Sequence, residues 1–158
     1  MDDLTRLVEI ERIQQLKYRY FRYLDGKEWD ELAQLFVEDA RSSYGDGKYS
    51  FQGRDAILRF LRDALGRPTI LSAHHGHHPE IELTSATSAR GTWALWDRVI
   101  DLQHGIEISG AAFYHDEYVK IGGDWKFLAT GYQRTYEELA PRPADGPAKL
   151  SANRFAKG

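Results

Sequence analysis

Between Leu4 and Leu24 apolar residues recur at Leu4, Leu7, Val8, Ile13, Leu16, Tyr20 and Leu24, a three-to-four spacing that lays one sticky stripe along a long helix. Gly26 stands where that helix is expected to stop. The segment WDELAQLF then turns Trp29, Leu32, Leu35 and Phe36 toward the same core on a second, short helix, giving a helical hairpin. In ARSSYGDGKYSF the cluster Gly45-Asp46-Gly47 lies between tyrosine-bearing flanks, a pattern that reads as a loop or as a hairpin of short strands. Helical spacing returns in GRDAILRFLRDALG, where Ile57, Phe60, Leu61 and Leu65 share one side and Gly66 and Pro68 mark the stop.

From Ile81 to about Tyr136 the period changes to two. IELTS, ARGTWALWDRVIDL, IEISGAAFYHDEYVKI and DWKFLATGYQRTYEEL are β-rich runs broken at Ser85 to Ser88, His104-Gly105 and Gly122-Gly123, as expected of an antiparallel meander. In GTWALWDRVI one side carries Trp93, Leu95, Asp97 and Val99 and the other Ala94, Trp96, Arg98 and Ile100, so both faces need cover. Helices cover one, and a second copy of the chain is expected on the other, because large apolar patches are rarely left in water. Three helices followed by a long curved sheet predict an α+β fold, a cone whose open end encloses an apolar pocket. Residues 1–139 form the predicted domain; residues 140–158, rich in Pro, Gly, Ala and Lys, read as an irregular tail.

The bulk numbers narrow the picture further. At 158 residues with 42% apolar and 13% aromatic content, one soluble domain with a real core is expected. No apolar run approaches the ~20 residues that span a bilayer. The acidic start MDDLTRLVEIER lacks the basic-then-apolar pattern of a secretory leader, and the cytoplasm is the expected compartment. The absence of cysteine excludes disulfides, thiolate metal sites and thiol nucleophiles. A net charge of −3 with scattered Lys and Arg gives no basic field for a phosphate backbone, so nucleic acid is not an expected partner.

Candidate chemistry lies where polar residues interrupt apolar faces. Four histidines, His74, His75, His77 and His78, fall within SAHHGHHPE. Adjacent side chains of an extended segment point apart, so only His75 with His77, or His74 with His78, can aim together, and no HExxH spacing is present. Metal ligation, a solvated loop and one working imidazole among bystanders are the three readings, and the last is favoured. Asp97 shares a side with Trp93, Leu95 and Val99; there it is either a buried carboxyl in need of a partner or a solvent-facing residue at a bend. Tyr20 on the helix stripe is a core filler or a hydroxyl at the pocket rim. Asp25 at the helix end meets an unfavourable dipole unless something positive faces it, and histidine is a natural partner. Arg134, with Tyr132 and Tyr136 at period two, either binds a substrate anion or pairs with a carboxylate.

LKYRYFRYLDGKEWDEL, HHGHHPEI, GAAFYHDEYVKI and GGDWKFLATGYQRTYEE together resemble the SnoaL-like branch of the NTF2-like superfamily over roughly residues 5 to 139, most of all the bile acid 7α-dehydratases and more distantly scytalone dehydratase and hexachlorocyclohexane dehydrochlorinase. The resemblance implies a cone-shaped α+β barrel, commonly trimeric, that performs cofactor-free elimination through a His-Asp pair with no metal. By motif position it implies Tyr20, Asp25, His74 and Asp97 as catalytic residues and Arg134 as substrate-binding. Trp93, Trp96 and Tyr132 are expected on the pocket wall. The implied function is a dehydratase acting on a hydroxylated cyclic carbonyl compound, steroid-like or polyketide-like. In the mechanism this implies, His74 would be the base, charged and oriented by Asp25, while Tyr20, with or without a protonated Asp97, would meet the developing enolate. An isomerase or cyclase on a similar substrate, or a binding module of the same fold, are the alternatives, since one fold hosts many activities. The extra imidazoles His75 and His78, Trp96 before the pocket aspartate and the short turn DLQHGIE depart from the family pattern.

Overall fold

The computed structural model describes residues 2–156. Its order is α1 (Asp3–Gly26), α2 (Trp29–Ala33), β1 (Phe36–Tyr44), β2 (Tyr49–Gln52), α3 (Arg54–Leu65), β3 (Ile70–Leu83), β4 (Ser88–Asp101), β5 (Ile106–Ile121) and β6 (Asp124–Pro141). The strands form one six-stranded sheet in the order β2-β1-β6-β5-β4-β3. All neighbours are antiparallel except β1 and β6. The α+β architecture with helices on a curved sheet is as expected, but the sheet does not close into a barrel: β2 and β3 remain its two edges.

Helix α1 begins at Asp2, whose carboxylate accepts from the Thr5 backbone N–H at 2.9 Å, satisfying one of the orphan donors of a first turn. Only the later part of its stripe is buried: Ile13, Leu16, Tyr20, Phe21 and Leu24 enter the core, whereas Leu4, Leu7 and Val8 are exposed. Glu9, buried at the edge of the core, accepts from Lys120 Nζ at 2.8 Å and Trp125 Nε1 at 2.6 Å. Lys17 lies on the same inner face with no exposed side-chain surface. Its ammonium is 2.8 Å from Asp116 Oδ2 and 3.5 Å from the centre of the Tyr114 ring. Asp116 also accepts from Tyr118 and Thr130, each at 2.7 Å, and Tyr118 in turn accepts from Trp93 Nε1 at 3.0 Å. A buried ion pair of this kind persists only when such extra hydrogen bonds satisfy its remaining lone pairs.

Two strand readings change. The histidine run belongs to β3, which starts at Ile70, rather than to a connection before a strand at Ile81. Register slips between His77 and Glu80, with His78 at φ 49°, the signature of a bulge. Strand β1 likewise begins at Phe36 and pairs with β2 through a turn over residues 45–48 in which Gly45, Asp46 and Gly47 all take positive φ. Tyr44 is carried into the core by the close approach of β1 to β6, where Ser43 faces Gly131. A Cβ on Gly131 would overlap the Ser43 carbonyl oxygen. We expect Gly131→Ala to destabilise the fold by about 1–3 kcal/mol, the usual scale of overpacking, read as a lower midpoint in urea.

Candidate active site

A cavity of about 580 Å³ opens between α1, α3 and the concave face of the sheet, within the range of small-molecule sites. Helices supply Leu24, Phe60, Leu61 and Leu65 to its wall, and the strands supply Tyr44, His74, Asp97, Val99, Ile108, Tyr114, Tyr132 and Arg134. Tyr20 completes it from α1.

The strand register determines which polar groups meet. His74 is directly opposite Asp97 across β3 and β4, so both side chains share the inner face. The end of α1 brings Asp25 to the same place. Asp25 Oδ1 lies 2.7 Å from His74 Nδ1 and accepts from Ser72 Oγ at 2.8 Å, while Oδ2 accepts from the His74 backbone N–H at 2.7 Å. An ionised carboxylate only accepts, so Nδ1 carries a hydrogen, and it is Nε2 that has a free lone pair whenever the ring is neutral. The Phe21 ring lies parallel to the imidazole with centroids 6.4 Å apart.

Burial acts most strongly on Asp25 and pushes its carboxyl up, but the hydrogen bonds and charge of His74, with help from Ser72, outweigh it and hold the group below the ordinary carboxylate range. A depressed folded value means that the stabilisation is complete above the unfolded value of about 3.9 and is lost as pH falls through the lower folded one. Asp25→Asn should therefore flatten the acid end of the stability curve, below about pH 4, in thermal melts. Were His74 to act as a base, the same substitution would lower turnover by about 10²–10⁴-fold by freeing the imidazole to adopt the wrong tautomer.

The second polar pair is Asp97 and Arg134. Arg134 donates from Nη1 to Oδ1 at 2.5 Å and from Nη2 to Oδ2 at 2.8 Å, a bidentate fork. Burial opposes the charge on Arg134, yet Asp97 raises the guanidinium above its usual range. Gly110, opposite Asp97 in β5, leaves room for this pair, because a Cβ there would stand 3.1 Å from Arg134 Nη1. Both Asp97 oxygens are engaged as acceptors by the guanidinium, whereas the oxyanion role expected of Asp97 calls for a donor.

Three tyrosines crowd the cavity. Tyr20, Tyr44 and Tyr114 are each at most 2% exposed, and burial, above all, raises their hydroxyls well beyond the ordinary range, so they remain neutral donors. The hydroxyls influence one another, yet among the described residues neither Tyr20 nor Tyr44 finds a well-made hydrogen-bond partner. Buried hydroxyls without partners are costly unless something else accepts from them, and a ligand oxygen in the cavity would.

The structure thus brings His74, Asp25, Tyr20, Asp97, Arg134 and Tyr132 together, and it leaves two expected wall residues elsewhere. Trp96 lies on the outer sheet face, 42% exposed, with its ring 5.8 Å from that of His75. Trp93 faces inward but four residues along β4 from Asp97, roughly 13 Å at ~3.3 Å per residue, where α1 covers it and Tyr118 accepts its N–H. Neither lines the cavity. His75 and His77 face outward with rings 6.0 Å apart. Among the described residues no group of three or more His, Asp or Glu is arranged to hold a metal, and no helix is long and apolar enough to cross a membrane. Tyr44, Tyr114 and Ser72 were missed from the sequence, although the inward parity of Tyr114 with Ala112 was a usable signal.

Comparison with known proteins follows the same lines. A probable cyclase, FGR4, of Gibberella zeae is 22% identical over 139 residues, covering 80% of this chain and 91% of its own. A crystal structure described as "Putative Scytalone Dehydratase" from Novosphingobium aromaticivorans superposes with a TM-score of 0.78 at 28% identity, covering 92% of this chain and 98% of that one. The hexachlorocyclohexane dehydrochlorinase LinA-type3 from Novosphingobium barchaimii shares the fold with a TM-score of 0.78 at 24% identity, covering 88% and 94%. The SnoaL-like domain model matches residues 5–130, and the chain belongs to the SnoaL-like family.

Proposed function

We propose that the protein is a cofactor-independent hydro-lyase that eliminates water from a hydroxylated cyclic carbonyl compound, steroid-like or polyketide-like, of the kind handled by bile acid dehydratases. The observation that carries this reading is His74, whose Nδ1 is tied to Asp25 while the ring borders an apolar cavity beside unpartnered tyrosine hydroxyls. His74 Nε2 takes a proton from the carbon next to the carbonyl, and the electron pair moves onto the carbonyl oxygen as an enolate. Tyr20, with Tyr44 beside it, donates to that oxygen as its charge grows. The enolate then collapses, the C–O bond β to the carbonyl breaks, and the imidazolium returns its proton to the departing hydroxyl, which leaves as water. Arg134, held by Asp97, positions the substrate. Base, donor and acid are all side chains, so the reaction as written calls for no cofactor.

A second reading, isomerisation or cyclisation with the same base and donors, is favoured by the cyclase relative. Incubation with hydroxylated cyclic ketones, 3-oxo-steroids among them, separates the two. Elimination creates a conjugated-enone absorbance with the loss of one water by mass spectrometry, whereas isomerisation leaves the mass unchanged. Absence of both, with the ligand demonstrably bound, would leave a binding module. The outward Trp96, Phe113 and Tyr136 support a homo-oligomer, with a trimer as the proposed state, measurable by light scattering.

A further inference from the structure

The last turn of α1 contains an oddity. The helix closes with Glu28 N–H donating to Tyr23 O at 2.8 Å and Lys27 N–H to Leu24 O at 3.2 Å, the paired bonds of a Schellman motif. The residue that must go left-handed in that motif is usually glycine. Here it is Lys27, at φ 58° and ψ 34°, although Gly26 sits one position earlier in a helical conformation. A non-glycine side chain held in this region signals that something else fixes it.

The side chain shows what that is. Lys27 Nζ donates to the carbonyl of Leu65, the last residue of α3, and at 3.0 Å to the carbonyl of Ile70, the first residue of β3. The Phe155 ring of the C-terminal tail packs 4.7 Å from the ammonium. Two and four residues beyond Ile70, Ser72 and His74 reach Asp25, which itself lies two residues before Lys27. The chain therefore forms a closed circuit: Asp25 to His74, along β3 to Ile70, across to Lys27 and back to Asp25.

We propose that Lys27 is a positioning residue for the His74–Asp25 pair, its ammonium clamping the end of α1 to the strand that carries the imidazole; this rests on the reading of His74 as the base. The clamp ties the end of α1 to the start of β3 independently of the bonds that Ser72 and His74 make to Asp25, and small displacements of reacting groups cost rate steeply.

Lys27→Gly tests it cleanly, because glycine accepts the left-handed backbone while removing the ammonium. The expected result is a folded protein, with a circular dichroism spectrum like that of the native chain. Turnover falls by about 10- to 100-fold with KM little changed, and the downfield imidazole proton of the His74–Asp25 bond broadens or vanishes in NMR spectra of the resting protein. Lys27→Arg should restore most of both signals. A native-like imidazole proton and native turnover in Lys27→Gly would overturn the proposal, as would equal losses in Lys27→Arg. Should Lys27→Gly fail to fold, Lys27→Asn, which tolerates the left-handed backbone but is too short to reach the two carbonyls, carries the same two readouts. The NMR signal needs no substrate, so a native chain inactive in elimination would refute the functional reading while leaving this test decisive.

Discussion

His74→Ala is expected to lower turnover by about 10²–10⁴-fold, the ordinary contribution of one general base, while His77→Ala leaves it unchanged. The two residues are three positions apart in one strand, and the difference lies in direction. The His74 ring borders the cavity and is anchored through Nδ1 to Asp25, whereas His77 faces outward beside His75 and His78. Steady-state kinetics on any substrate that yields a conjugated enone would measure the effect. Equal losses in both variants would point away from a single imidazole. The loss in His74→Ala should fall on kcat more than on KM, because the proton transfer is made only on the way to the transition state.

Lys17→Met should be the most damaging substitution for stability. It leaves the Asp116 carboxyl fully buried without its cation, with the Tyr118 and Thr130 hydroxyls as its remaining partners among the described residues. Breaking one side of a buried pair in this way costs about 3–5 kcal/mol. Replacing both charges, Lys17→Met with Asp116→Leu, should recover much of the loss, since a well-packed apolar pair is often as stable as the ions it replaces. Recovery will be incomplete, because Tyr118 and Thr130 then lose their common acceptor. Urea denaturation of the two variants and the native chain decides the matter, and a single variant as stable as the native chain would show that the pair is not a mainstay of the core.

The main elements were legible because their periods are clean. The stripe from Ile13 to Leu24 and the face of α3 read correctly, and so did the long strands from Ser88 onward. What was hidden has identifiable physical causes. β3 begins eleven residues before Ile81, hidden because Ser72 to His78 are all Ser, Ala, His and Gly, residues of modest strand preference whose ordering comes from pairing with β4. Leu4 and Leu7 fit the helical stripe but extend past the sheet, and periodicity reports facing, not whether a surface lies opposite. Lys17 occupies a core position four residues after Ile13, and nothing local reveals that an aspartate ninety-nine positions away meets it. The site divides in the same way. Inward parity pointed to Asp97, and a helix-end carboxylate pointed to Asp25, while the choice of His74 came from family resemblance. Trp93 shows the limit of parity, since the side of a strand is readable from alternation but depth along it is not. Tyr44 and Tyr114 looked like ordinary strand aromatics until the fold gathered their hydroxyls in one cavity.

The bulge at His77 to Glu80 bears on how the molecule avoids growth at its border. A fourteen-residue strand at the end of a sheet offers a template to which further chains can add. In β3 that template is interrupted midway, where His78 turns left-handed, Pro79 offers no N–H and Glu80 and Glu82 bring negative charge. Straightening this kink, by deleting His78 and replacing Pro79, would present an unbroken ribbon and invite fibrillar stacking at concentrations where the native chain stays dispersed.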